Sequence, residues 1–193
     1  MTPFRRRALL ALTGSALPIT VRAQDFPSRG ITIIVPYAAG GGADITARLM
    51  APRMSAGLGQ PVVIENRTGA NGVLGAEVVA RAAPDGHTLA MVVSSHVINK
   101  AVLPNLPFDP VADFTPVMLV ARTQLVLVAS PSLGVTTAQE LIAKIRAKPG
   151  EYAYASPGAG SNVHVFLEWF VRRAGLDMVH VPYRGSAAAH ADL

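Results

Sequence analysis

Two glycine-rich turns hold the residues of this sequence that are best suited to bind a charged ligand. The first turn follows an apolar run at residues 31–35, and a helical pattern begins directly after it at Ala43 and Asp44. Glycines let backbone N–H groups come close to a ligand, and a helix N-terminus adds unpaired donors and a partial positive charge. The pattern therefore predicts an anion-binding turn at the carboxyl end of a strand, although a tight turn without a ligand would have the same sequence. The candidate binding residues here are Tyr37, Gly40, Gly41, Gly42, Ala43 and Asp44.

The second turn repeats this arrangement at residues 152–162, where a short strand, two glycines and a helix start follow one another. Its two serines add hydroxyl groups, which can donate to an anion or simply cap the helix. A histidine follows in the first turn of the helix, a position where a lone histidine is more often a structural residue. Two such turns together suit a small ligand with a carboxylate at each end. The candidate residues of this turn are Ser156, Gly158, Gly160, Ser161 and His164.

Two further loops contribute candidates of the same kind. Ser94 and Ser95 follow the third predicted strand, and Arg184 follows the last one. The hydroxyls and the guanidinium could contact an anionic ligand, and each of these residues could equally cap a helix.

Sequence signatures of common enzyme classes are absent. Residues 69–75 lack the spacing of a dinucleotide-binding fingerprint, and no phosphate-binding loop, nucleophile elbow or zinc-protease motif occurs. The five histidines occur singly and there is no cysteine, which argues against a metal site. Asp44 and Glu65 could form a carboxylate pair, but helix capping and a strand-end contact explain them more simply. We expect no cofactor.

The positive charge of the chain is concentrated at its N-terminus. Four of the 17 Lys and Arg residues lie in residues 1–23, so that residues 24–193 carry 13 basic and 12 acidic side chains. No basic patch remains, which argues against binding to nucleic acid. Arg5, Arg6 and Arg7, followed by an apolar segment at 8–21, predict an export signal that is cleaved near Ala23. We therefore expect a periplasmic protein, with Sec and twin-arginine export both open; the alternative is a cytosolic protein with an amphipathic start.

Strand and helix patterns alternate after residue 30, which predicts parallel strands in an α/β fold. Strands are predicted at residues 31–35, 61–65, 87–93, 152–155 and 178–181, and helices at 45–58, 71–82, 138–147, 161–174 and 186–193. Ile45, Leu49 and Met50 are predicted to face the core from the first helix. Phe108 and Phe114 are predicted to anchor the loop around residues 104–113. The apolar runs 117–121 and 125–129 are predicted to cross into a second lobe.

Motifs along almost the whole mature chain resemble those of the Bug family, the periplasmic receptors of tripartite tricarboxylate transporters. The matching segments are residues 26–29, 33–41, 58–67, 84–89, 108–110, 113–116, 154–156 and 180–185, in the order of the family. The resemblance implies a type II periplasmic-binding-protein fold, with two α/β lobes, a hinge, and a cleft for a small carboxylated solute. It also implies that a monomeric receptor delivers this solute to the membrane components of a tripartite tricarboxylate transporter.

The resemblance sets expectations about domains and ligand as well. Members of the family continue past the position of Leu193, so the chain is expected to be a truncated receptor or a fragment. The expected divisions are a signal peptide at residues 1–23, lobe one at 24–120 and a partial lobe two at 121–193. Gly42 stands where the family can carry a polar residue, which leaves open whether the solute is a dicarboxylate, a tricarboxylate, an aromatic or nicotinate-like acid, or an acidic amino acid. The alternative is a periplasmic enzyme that acts on a small organic acid on a similar bilobal scaffold.

Overall fold

A parallel sheet of three short strands lies at the centre of the first half of the protein, for which a computed structural model describes residues 26–193. β1 (Ile31–Val35) is the middle strand, between β2 (Val62–Asn66) and β3 (Thr88–Ala90). Most side chains of β1 are buried, as expected for an apolar central strand in a parallel sheet. The predicted order and parallel pairing are confirmed, but β3 is shorter than the predicted strand at 87–93. The predicted export signal lies outside the described residues.

The first helix, α1 (Gly42–Leu58), packs against the sheet through small side chains. Ala47 is fully buried and Ala51 nearly so. The prediction that Ile45 and Leu49 face the core is wrong, because these residues are 50% and 73% exposed. Alanines let the helix axis lie close to the strands, and a rotation of about 100° per residue then turns the larger apolar residues toward solvent.

Two shorter helices complete this half. α2 (Val73–Ala80) buries Val73 and Ala76 against Phe108, and Phe114 packs against the same cluster, which confirms both phenylalanines as anchors. α3 (Ser95–Val102) was not predicted. Its buried side chains are polar, whereas Val97 and Val102 are about half exposed, so the apolar residues of this segment do not mark the face that packs on the core.

Residues 115–129 connect the two halves without forming a helix or a strand. Seven of their apolar side chains are between 45% and 78% exposed, and these are Val117, Met118, Leu119, Leu125, Val126, Leu127 and Val128. A cluster of exposed apolar side chains of this extent is unusual on a protein surface.

The second half contains a pair of parallel strands, β4 (Ala153–Ser156) and β5 (Val179–Pro182). The flanking helices are α4 (Ala138–Arg146), α5 (Asn162–Ala174) and α6 (Ser186–Ala191). The predicted elements are confirmed to within two residues at each end. None of the helices within residues 26–193 combines the length and the apolar character needed to cross a membrane.

Candidate functional site

The two glycine turns, one after β1 and the other after β4, lie next to each other. Asn71 stands between them, and its side-chain amide donates to the Gly160 carbonyl at 2.8 Å. A Cβ at Gly185 would come within 2.9 Å of Ala38 Cβ, so the absence of a side chain lets the loop after β5 touch the first turn. The structure therefore brings together both predicted anion-binding turns and the loop that carries Arg184.

Some backbone N–H groups of the first turn are used within the protein, and others are free to bind a ligand. Gly40 N–H donates to Asp44 Oδ2 at 2.9 Å, and Gly41 N–H donates to a carbonyl of the same turn at 3.2 Å. Gly41 is the N-cap of α1. Within residues 26–193, no hydrogen bond uses the N–H groups of Gly42 and Ala43, the first two residues of the helix. These are the unpaired donors of a helix N-terminus, which can bind an anion.

The Asp44 carboxylate fixes the shape of this turn. It is 3% exposed and accepts hydrogen bonds from Gly40 N–H at 2.9 Å, Arg48 Nε at 3.0 Å and Asn66 Nδ2 at 2.9 Å. The bonds from Arg48 and from the Gly40 N–H lower the pKa of Asp44 to about 2. The predicted capping role is confirmed in part. Asp44 accepts a backbone N–H at the start of the helix, but it is the third residue of α1 and not the N-cap residue, which is Gly41. Only the Asp44 backbone remains for a ligand.

Tyr37 and Ser95 form a hydrogen-bonded pair beside the first turn. Their hydroxyl oxygens are 3.0 Å apart, and the Tyr37 hydroxyl also accepts the Val93 N–H at 3.2 Å. Burial raises the pKa of Tyr37, so this hydroxyl stays protonated. Ser95 is 1% exposed, whereas Ser94, at the N-cap position of α3, is exposed and makes no capping bond. Of the two serines, only Ser94 presents its hydroxyl to solvent.

The side chains of the second turn are used largely to hold the turn itself. Ser156 is 1% exposed, and its hydroxyl lies 3.2 Å from both the N–H and the carbonyl of Gly158. The same hydroxyl is 2.7 Å from His180 Nε2. Its hydrogen-bonding capacity is therefore used within the protein.

The N-terminus of α5 resembles that of α1 in its free donors. Ser161 caps the helix by accepting the His164 N–H at 3.2 Å, and His164 Nδ1 accepts the Gly160 N–H at 3.1 Å. In the described part of the chain, the N–H groups of Asn162 and Val163 donate to no other residue. The second turn thus offers backbone donors rather than hydroxyls to a ligand.

Arg184 is the one cationic candidate near the two turns. Its side chain is exposed, and among residues 26–193 its guanidinium makes no hydrogen bond or ion pair. It precedes Gly185, which contacts the first turn, so a long flexible side chain is attached where it can approach a ligand.

Two asparagines that connect the turns were not predicted from the sequence. The Asn71 amide donates to Asn99 Oδ1 at 2.6 Å, and the Asn99 amide donates back to the Asn71 carbonyl at 3.1 Å. Asn71 has φ of +55°, a left-handed conformation that asparagine tolerates better than most residues. The Asn71-Gly72 pair is a turn signal, but its partners are 28 and 89 residues away and cannot be read from local spacing.

Two open grooves of about 380 Å³ each lie away from the turns. One is lined by α1 and β2 around Ser55, and the other by the loop around Phe108. Neither groove is lined by a candidate residue. Among the described residues, no three His, Asp or Glu side chains come together in a way that could hold a metal ion.

Comparison with known proteins places the chain in a family. Residues 46–193 match the family described as Tripartite tricarboxylate transporter family receptor, TctC. The chain belongs to this family. The protein BugT of Bordetella pertussis is 39% identical to it over 186 residues, which are 95% of this chain and 56% of BugT. The chain therefore spans about half the length of the curated relatives it matches, and the resemblance to the Bug family is confirmed.

Solved structures support the same fold. An R. palustris protein solved with adipate is 39% identical, with a TM-score of 0.83 over 88% of this chain and 57% of that one. MatC from Rhodopseudomonas palustris, solved with bound malate, is 34% identical, with a TM-score of 0.72 over 87% of this chain and 57% of that one. The predicted α/β fold of the periplasmic-binding-protein type is confirmed, and the chain corresponds to little more than half of each of these structures.

Proposed function

We propose that the protein is a solute-binding receptor that captures a small dicarboxylate between its two glycine turns. The observation that carries this proposal is the position of two helix N-termini with free backbone donors on either side of Asn71. Gly42 and Ala43 supply the donors of α1, and Asn162 and Val163 those of α5. The two solved relatives named with adipate and malate bind ligands of this chemistry.

The strength of such a site is sufficient without a buried arginine. A hydrogen bond to a charged group contributes about 1.5–3 kcal/mol, and a helix N-terminus adds up to about 2 kcal/mol for an anion. Four such bonds, less the cost of ordering the ligand and the turns, reach the roughly −8 kcal/mol of micromolar binding. Arg184 and the Ser94 hydroxyl would add contacts at the mouth of the site.

The chain's own carboxylate does not cancel this attraction. Asp44 lies within the first turn, but Arg48, at 3.0 Å, offsets its charge. The oxygens of Asp44 also accept the Gly40 N–H and the Asn66 amide. The N–H groups of Gly42 and Ala43 do not contact this carboxylate, so they are left for the carboxylate of a bound ligand.

The family supports a proposal about the biological setting. We propose that the protein is exported, loses its signal peptide near Ala23, and acts in the periplasm as a monomer. It would deliver its solute to the membrane components of a tripartite tricarboxylate transporter. Neither a cofactor nor nucleic acid takes part in this proposal, and the receptor binds its solute without converting it.

A thermal-shift screen of the mature protein against a carboxylate library, followed by calorimetry, tests the proposal. Adipate and malate are the first ligands, and the dimethyl ester of adipate is the matched control because it keeps the chain length but lacks both charges. We expect a rise in melting temperature and micromolar affinity for at least one dicarboxylate, and no binding of the ester. Equal binding of the ester, or conversion of the bound acid to a product, would contradict a carboxylate receptor.

A further inference from the structure

Three aromatic rings stack beneath the second glycine turn. They are Tyr154 of β4, His180 of β5 and His164 of α5, which we call the histidine stack. The centroids of the two histidine rings are 4.0 Å apart and nearly parallel, and Tyr154 lies 5.0 Å from His180. Histidines in such contact cannot both carry a positive charge without strong repulsion.

The histidine stack holds one N–H group of the turn directly and a second one through Ser156. His164 Nδ1 accepts the Gly160 N–H at 3.1 Å. His180 Nε2 is 2.7 Å from the Ser156 hydroxyl, and that hydroxyl accepts the Gly158 N–H at 3.2 Å. The backbone of the turn is therefore attached to the stack at both of its glycines.

The contact with Gly160 fixes the tautomer of the neutral His164 ring. A nitrogen that accepts a hydrogen bond carries no proton, so the proton of the neutral ring is on Nε2. Nε2 lies 3.9 Å from Glu168 Oε1. A proton added to Nδ1 would place two N–H donors against each other and break the bond to Gly160.

The charged groups around the stack are few. Glu168 and Arg172, both on α5, form an ion pair at 3.1 Å, and the Tyr154 hydroxyl donates to Glu168. Burial and the neighbouring Glu168 raise the pKa of Tyr154 to about 12, so Tyr154 stays neutral. Burial, together with the neighbouring His164, lowers the pKa of His180. The geometry thus gives the stack one acceptor for a backbone N–H of the turn, which is His164 Nδ1.

We propose that His164 is a positioning residue for the second anion-binding turn, and that protonation of the histidine stack releases the Gly160 N–H and lowers the affinity for a carboxylate in acid. This inference rests on the proposed function. The Gly160 carbonyl accepts the Asn71 amide at 2.8 Å, so releasing the N–H of the same residue also loosens the contact between the two turns. A site whose periplasmic surroundings become acidic would then release its solute.

Two substitutions separate the loss of the histidine ring from the loss of an acceptor for the Gly160 N–H. His164→Gln offers an amide oxygen to the Gly160 N–H and does not titrate, whereas His164→Ala offers no acceptor. His190→Gln, on α6 and exposed, is the control for removal of a histidine. Calorimetry with malate at about pH 7.5 and about pH 5.5 spans the usual range of histidine titration, and any protonation of the ligand is common to all variants.

We expect the affinity of the wild-type protein and of His190→Gln to fall about tenfold more on acidification than that of His164→Gln, the equivalent of one hydrogen bond. His164→Ala should bind weakly at both values, and His164→Gln should restore binding at pH 7.5. Equal pH dependence in wild type and His164→Gln, or tighter binding in acid, would overturn the inference. Wild-type protein that binds no dicarboxylate at about pH 7.5 would instead refute the proposed function.

A readout without ligand tests the contact itself. In nuclear magnetic resonance spectra of the free protein, the Gly160 amide signal should shift on acidification in the wild type and should shift much less in His164→Gln. A Gly160 amide that is insensitive to pH in the wild type would overturn the inference whatever the protein binds.

Discussion

Replacing Gly42 by proline removes one proposed ligand donor while leaving the helix in place. Gly42 is the first residue of α1, and proline is favoured there because its missing N–H has no partner inside the helix. The preceding residue, Gly41, has φ of −77° and ψ of 164°, an extended conformation that is compatible with a following proline. A Cβ at Gly42 would meet no atom within 4 Å, so the ring has space next to the chain.

The expected loss can be derived from the contact that is removed. One hydrogen bond to a charged group is worth about 1.5–3 kcal/mol, so Gly42→Pro should weaken dicarboxylate binding about 10- to 150-fold. The melting temperature of the free protein should stay the same or rise slightly, because proline restricts the unfolded chain. Asn162→Pro is the equivalent change at α5, where Ser161 has a φ of −64° and a ψ of 158°, and should have a similar effect.

Ala138→Pro is the matched control. Ala138 is the first residue of α4, and Thr137 before it is also extended, with φ of −129° and ψ of 155°. Within residues 26–193, α4 shares no hydrogen bond with either glycine turn. Isothermal titration calorimetry should therefore give wild-type affinity for Ala138→Pro. Unchanged affinity in Gly42→Pro, with an unchanged melting temperature, would refute the role of the α1 N-terminus.

Two further predictions come from the structure, and one comes from the sequence. Asp44→Asn should destabilise the protein by about 1–3 kcal/mol in denaturant titrations, whereas the exposed control Asp177→Asn should change stability little. Because the folded-state pKa of Asp44 is lowered to about 2, its contribution to the free energy of unfolding is present at neutral pH and should be lost as the pH falls from about 4 through 2. Equal losses of stability in the wild type and in Asp44→Asn over this range would contradict this role of Asp44. Mass spectrometry of periplasmic protein should find an N-terminus at or near Gln24, and a species that keeps Met1 would contradict export. Val126→Lys, at a position that is 78% exposed, should lower the free energy of unfolding by less than about 0.5 kcal/mol in denaturant titrations, and a loss above about 2 kcal/mol would contradict the exposure of this side chain.

Local sequence patterns were sufficient for the strands that carry the two turns. β1 is a continuous apolar run that ends at a proline and glycines, and β4 precedes a similar break, so both turns could be located before their surroundings were known. The cap of α5 was equally visible, since Ser161 stands directly before a helical pattern. These patterns are local because the N–H groups at the start of a helix need hydrogen-bond partners from neighbouring residues of the chain.

The rest depended on contacts that local patterns do not encode. The buried face of α1 was predicted wrongly because its rotation is set by how closely the alanines approach the sheet, whereas the prediction followed the larger residues Ile45 and Leu49. α3 was missed because its buried face is polar and serves Tyr37 and Asn71, which are distant in sequence. The Gly40 N–H was predicted as a ligand donor, yet Asp44 uses it, and only the folded turn shows this.

The central claim is that the two helix N-termini bind one dicarboxylate together, and an amide titration by nuclear magnetic resonance tests it most directly. Addition of malate or adipate to the ¹⁵N-labelled mature protein should shift the amide signals of Gly42, Ala43, Asn162 and Val163 most, with one common affinity, and Gly42→Pro should weaken the shifts at α5 as well. Shifts confined to one turn, or centred on the groove around Ser55, would contradict it.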